Sequence, residues 1–184
     1  MEPGDELAER DPAPAVTLRP ATAADAAAVL EIYRPSIEGS AVSFEVSTPS
    51  VDEMAARIAK SLDRWQWLVA ESRDRILGYA YGTEHRARAA YRWSTEVSAY
   101  VHPDGRRQGI GRALYLRLFD DLAARGYSNA YAGIVLPNEP SVALHLSVGF
   151  APIGVFHRVG RKLGRWHDVA WFERRLREAP PEEP

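Results

Sequence analysis

Three groups of residues in this 184-residue chain have types and spacings that could do chemistry. The first is the run Val101-His-Pro-Asp-Gly-Arg-Arg-Gln-Gly-Ile-Gly-Arg112. Gly109 and Gly111 let an anion come close to the backbone, and Arg106, Arg107 and Arg112 add positive charge. If a helix starts at this point, its first turn also offers free N–H groups and the positive end of the helix dipole. Together these favour a phosphate or pyrophosphate, although the run also reads as a glycine-rich turn with solvated arginines. It lacks the third glycine of a dinucleotide fingerprint and the Gly-Lys-Ser/Thr of a P-loop. The second group is Glu96, a carboxylate between Thr95 and Val97, and His145, on a segment that reads as helical. Both are candidate acid–base groups. From spacing alone Glu96 reads more readily as a solvent-facing strand residue, and a lone helical His such as His145 is more often a packed or surface one. The third group is the pair Arg86-x-Arg88. Its guanidinium forks suit carboxylate or phosphinate groups if they are not simply solvated.

These residues need elements to hold them. Val16–Arg19 reads as a first strand. Thr22, Asp25 and the alanines that follow open a helix that runs to about Glu38. Ser43–Val46 reads as a short extended piece, and Thr48-Pro49 as the start of a second helix, with Val51, Met54, Ala55, Ile58 and Leu62 as its apolar stripe. Trp67–Glu71 and Arg75–Thr83 are strands joined by Ser72-Arg73-Asp74. Ser94–Val101 is a strand that ends at His102-Pro103. Gly109–Arg125 is an amphipathic helix stopped by Gly126. Asn129–Leu136 is a strand, Glu139–Val148 a helix, and Ile153–Val159 and Asp168–Arg174 the last strands. Asn138 caps the helix that carries His145. The fold class is therefore α/β (α+β), a mixed central sheet of about seven strands with helices on both faces.

Composition narrows the function. The chain has 23 basic and 25 acidic residues and a formal net charge of −2, without the strong positive balance of a nucleic-acid binder. It has no cysteine, which excludes disulfides, thiolate metal sites and a cysteine nucleophile. The five histidines, 85, 102, 145, 157 and 167, have no ligand-like spacing with carboxylates, so no metal is expected. No segment is long and apolar enough to span a membrane, and the acidic, proline-rich start does not read as a signal peptide, which points to a cytoplasmic protein. Residues 1–15 and 178–184 read as disordered tails around one domain, 16–177.

Arg106-x-x-Gly109-x-Gly111, after a mid-chain strand and before a long helix, resembles the acetyl-CoA signature of the GNAT acetyltransferase superfamily. The blocks YRWSTEVSAYV, LPNEPSVALHLSVGF and GRWHDVAWF are similar to the phosphinothricin acetyltransferase branch. The resemblance implies acetyl-CoA as co-substrate, with Arg106, Arg107, Gln108, Gly109, Ile110, Gly111 and Arg112 at its pyrophosphate. The backbone of Ala99, Tyr100 and Val101 would lie along its pantetheine, with Asn138 and Ser141 on the other side. It implies Glu96 as the base that deprotonates an acceptor amine, and a substrate-contact or acid–base role for His145. Tyr115 is either a further contact or plain core packing. Arg86, Arg88, Tyr91 and Phe44 would hold a small amino-acid-like acceptor such as phosphinothricin or methionine sulfoximine. A homodimer is expected on the same ground. Acetylation of a protein N-terminus or lysine, and a non-catalytic acetyl-CoA-binding domain, are the alternatives.

Overall fold

The computed structural model describes residues 15–178. The strands are β1 Thr17–Pro20, β2 Trp67–Ser72, β3 Arg75–Glu84, β4 Ser94–Val101, β5 Asn129–Val135, β6 Ala151–Lys162 and β7 Arg165–Arg175. The α-helices are α1 Ala26–Glu38, α2 Val51–Arg64, α3 Ile110–Ala124 and α4 Glu139–Ser147. The seven strands form one mixed sheet in the order β1-β2-β3-β4-β5-β7-β6. Only the β4–β5 pair is parallel. Of the two sequence-read tails, all but Ala15 and Glu178 lie outside the described residues.

The core forms as two layers because both faces of the central strands are apolar. On β2, Trp67 and Val69 pack with Val29, Leu30, Ile37, Met54 and Ile58 of α1 and α2. The alternate residues Leu68 and Ala70 pack with Leu114, Leu118 and Leu122 of α3. The helices therefore cover both faces of the sheet, as the fold class requires.

Four local expectations are corrected. Ser43–Val46 is not a strand but a bent part of the α1–α2 connection. The α2 cap is Ser50 rather than Thr48-Pro49. Ser50 Oγ accepts from the Glu53 N–H and the Glu53 carboxylate accepts from the Ser50 N–H, a capping box that outcompetes the proline signal. The β2–β3 turn is the two-residue Arg73-Asp74, both at positive φ, while Ser72 pairs with Arg75. The last hairpin is longer than its apolar pattern implied, because its backbone ladder runs on to Lys162 and Arg165 while β6 stays exposed.

The site depends on how β4 and β5 part. They pair only at Ser94–Asn129, Thr95–Ala130 and Glu96–Tyr131. Beyond that, β4 stays on β3 as far as Val101 and β5 stays on β7 as far as Val135. A gap without ladder bonds opens between the facing edges, and chain connectivity puts the starts of α3 and α4 at its wide end.

Candidate active site

Glu96 sits at the closed end of that gap. Its row across the sheet is Thr83 on β3, Glu96 on β4 and Tyr131 on β5. His85, one residue past the end of β3, reaches diagonally back, and its Nδ1 lies 3.1 Å from Glu96 Oε1. The His85 ring stacks on Tyr131 at 4.5 Å, and Tyr91 meets it edge-on at 5.8 Å. Burial pushes the Glu96 carboxyl above the usual carboxylate range, while the His85 hydrogen bond and the charges of His85 and Arg86 pull it down. A carboxylate in that balance is a better proton acceptor than a solvated one. Sequence reasoning missed His85. The clue was alternation, which carries Thr83 and His85 to one face of the β3–β4 hairpin beside Glu96.

The Arg/Gly run stands at the other end of the gap. After a 3₁₀ turn at Pro103–Gly105, Arg107 and Gly109 take positive φ values of 61° and 77°. Gly109 caps α3 without any side chain to occupy the first-turn N–H groups. Arg106, Arg107, Gln108 and Arg112 are exposed there. Gln108 donates to the Asp104 carbonyl and so braces the loop. The Ile110 side chain is buried in the α3 core, so only its backbone faces the loop. At Gly111 an added Cβ would press on Leu144 of α4 at 3.1 Å, which lets the two helices and Val101 of β4 converge.

The other candidates spread around this gap. Ala99 and Val101 pack toward α3, and Tyr100 turns to the opposite face against Tyr33 and Tyr79. Asn138 caps α4 by accepting from the Ser141 N–H at 3.3 Å. His145 is buried with both ring nitrogens used. Nδ1 lies 2.7 Å from the Ser141 carbonyl, which can only accept, so Nδ1 carries the proton and Nε2 accepts from the Tyr115 hydroxyl at 2.9 Å. Burial lowers the His145 pKa and raises that of Tyr115, so both stay neutral. Tyr115 and His145 pack with Phe150 on the α3–α4 side of the sheet, whereas Glu96 shares the opposite face with Tyr131. Phe44 lies on the connection between α1 and α2. Its ring packs against His167, and a Cβ at Gly160 would run into it. Lys162 fixes that loop by donating from Nζ to the Ile37 and Ser43 carbonyls. Arg86 acts on Glu96 through its charge, while Arg88 leads into the Ala89–Tyr91 turn that presents Tyr91 to His85. Among the described residues no group of three or more His, Cys, Asp or Glu could hold a metal ion. No helix there is long and apolar enough to cross a membrane.

A parted parallel strand pair with a carboxylate at its apex and, at its mouth, a helix start whose first-turn N–H groups no side chain occupies is suited to an extended phosphorylated ligand. The model of the Acetyltransferase (GNAT) domain matches residues 18–171. The chain belongs to the GNAT acetyltransferases. The acetyltransferase is 40% identical to a phosphinothricin N-acetyltransferase of Streptomyces viridochromogenes, over 90% of this chain and 91% of that one. It is 35% identical to an L-methionine sulfoximine/L-methionine sulfone acetyltransferase of Salmonella typhimurium, over 89% and 96%. It superposes with a TM-score of 0.85 on a phosphinothricin acetyltransferase from Sinorhizobium meliloti in complex with AcCoA, at 38% identity and covering 91% and 94% of the two chains.

Proposed function

We propose that this acetyltransferase moves the acetyl group of acetyl-CoA directly to the primary amine of a small amino-acid-like acceptor, of the phosphinothricin or methionine sulfoximine type. The observation that carries the reading is Glu96 at the apex of the β4–β5 gap, half-buried, with Arg86 acting on it and the Arg/Gly loop at the far end.

In this reading the first-turn N–H groups of α3, with Arg106, Arg107 and Arg112, bind the pyrophosphate. The free edge of β4 at Ala99–Val101 lies along the pantetheine and offers an N–H to the thioester oxygen as charge develops there. Asn138 and Ser141 border the other side. Arg86, Arg88 and Tyr91 hold the anionic groups of the acceptor, with Phe44 as an apolar wall on the α1–α2 loop. Glu96 takes a proton from the acceptor ammonium. The freed amine then attacks the thioester carbon, and as the C–S bond breaks the nitrogen gives up its surplus proton to the departing sulfur, so that the amide and the CoA thiol are formed. The Tyr115–His145 pair closes the α3–α4 side of the gap as a fixed, neutral wall.

The acceptor assignment draws on the activities of the phosphinothricin and methionine sulfoximine relatives and on the Arg86–Arg88 pair. A thiol-release assay with acetyl-CoA and a panel of phosphinothricin, methionine sulfoximine, a peptide N-terminus and a lysine peptide tests it. Release with the small amino acids alone is the expected result. Release with the peptides alone moves the reading to protein acetylation, and binding of acetyl-CoA without release under any acceptor makes the domain non-catalytic.

We further propose a homodimer formed through the β6–β7 hairpin. Ile153, Phe156, Val159, Leu163 and Trp166 are each at least 50% exposed there, a concentration of apolar surface that is rare on a lone subunit. Sizing across a concentration series is expected to give twice the chain mass. A strict monomer contradicts the proposal.

A further inference from the structure

We infer that His85 is a positioning residue for Glu96, so that the His85–Glu96 pair, rather than Glu96 alone, forms the proton-accepting unit. The inference rests on the reading of Glu96 as the base and adds a group that the phosphate loop and the acceptor residues do not include.

The geometry is specific. A glutamate on a strand has two side-chain torsions before its carboxylate, so its aim must be fixed from outside. The Nδ1–H of His85 donates to Oε1 of Glu96 across 3.1 Å. That leaves Oε2 as the oxygen open to an ammonium proton. The imidazole is itself held by Tyr131 stacked on one face and Tyr91 against its edge. Tyr131 is also the strand partner of Glu96, so one aromatic ring anchors the row from both sides. The His85 side chain is only 13% exposed and that of Glu96 32%, so the contact is better shielded than a surface pair. His85 Nε2 makes no hydrogen bond among the described residues, so nothing on the protein dictates a competing tautomer.

The groups facing Glu96 decide the direction of the effect. His85 and Arg86 at the end of β3 favour its ionised form, and the phenol of Tyr81, kept neutral by burial, adds no charge. Removing His85 takes away the hydrogen bond as well as any positive charge, leaving Arg86 alone against the cost of burial. Glu96 must then hold its proton to higher pH, and its carboxylate loses its fixed aim.

Two substitutions separate positioning from mere packing. His85→Phe keeps a ring on Tyr131 but removes the donor. His85→Asn loses the ring but keeps an N–H where Nδ1 stood. The first readout is the carboxyl ¹³C titration of Glu96, assigned with Glu96→Gln, which needs no acceptor. The second is the pH profile of kcat/KM. For His85→Phe the Glu96 midpoint and the acid limb are expected to rise together by about one unit, with KM for acetyl-CoA unchanged. His85→Asn should restore most of the shift. An unmoved midpoint in His85→Phe overturns the inference, as does an equal loss of rate in both variants at an unmoved midpoint. If the midpoint moves but Glu96→Gln keeps full turnover, the reading of Glu96 as base fails while the His85–Glu96 contact stands.

Discussion

Glu96 and Tyr131 are the last residues that β4 and β5 pair across the parallel ladder. The same register pair that ends the sheet contact therefore places the carboxylate at the vertex of the gap. The strands part because β4 continues on β3 and β5 on β7. The site comes from sheet topology, and the residues that line it are supplied by alternation.

That placement has a cost in stability. The folded pKa of Glu96 lies above its unfolded value, so the native state holds the proton more tightly through that window. Stability contributed by this group is present at low pH and is lost as pH rises through the folded pKa. Glu96→Gln is therefore expected to melt at the wild-type temperature near pH 4 and above it near pH 7. Thermal unfolding at both values checks this. A variant less stable at pH 7 contradicts it.

Asp25 gives the opposite sign. It accepts from Arg19 and from the Thr22 N–H, and these bonds hold its carboxyl below the usual range. Its contribution is present above the unfolded pKa and is lost as pH falls through the folded one. Asp25→Asn should cost about 1–3 kcal/mol at pH 7, and the difference from wild type should shrink toward pH 2–3. Urea unfolding at the two pH values measures it. An equal cost at both would refute the assignment.

Tyr115→Phe leaves Nε2 of His145 as a buried acceptor without its donor. A loss of about 1–3 kcal/mol is expected from urea unfolding, with little change in the pH profile of activity, because the pair is neutral throughout. A large shift of the pH profile would instead make this pair part of the proton path.

Gly109 holds φ at 77° with open space where a Cβ would stand. Gly109→Ala should therefore cost about 1–2 kcal/mol through backbone strain alone. It should also raise KM for acetyl-CoA several-fold with kcat largely kept. Arg106→Ala and Arg107→Ala should raise the same KM in a salt-dependent way. Unchanged KM values in all three variants would remove the loop from the donor site.

Some of this was legible in the sequence and some was not. The Arg106–Gly111 loop could be read because its glycines and charges act through backbone geometry that sits next to them in the chain. The strand that carries Glu96, Ser94–Val101, could be read because its apolar alternation is local. The Tyr115–His145 bond could not, since its partners lie thirty residues apart and meet only when α3 packs on α4. His85 was passed over because its partner lies on the next strand, across a segment with no regular pattern. Phe44 needed the α1–α2 connection, where bends replaced the expected strand and a buried Lys162 from the distant hairpin fixes the loop. The length of β6 was hidden because its apolar residues face outward, so burial gave no signal along it.

The most direct test of the account is thiol release from acetyl-CoA with phosphinothricin as acceptor, for wild type and Glu96→Gln side by side. Wild type is expected to show acceptor-dependent release, and the variant a loss of about 10²–10⁴-fold in kcat/KM with KM for acetyl-CoA unchanged. Equal release by both proteins, with the same pH profile, would contradict it.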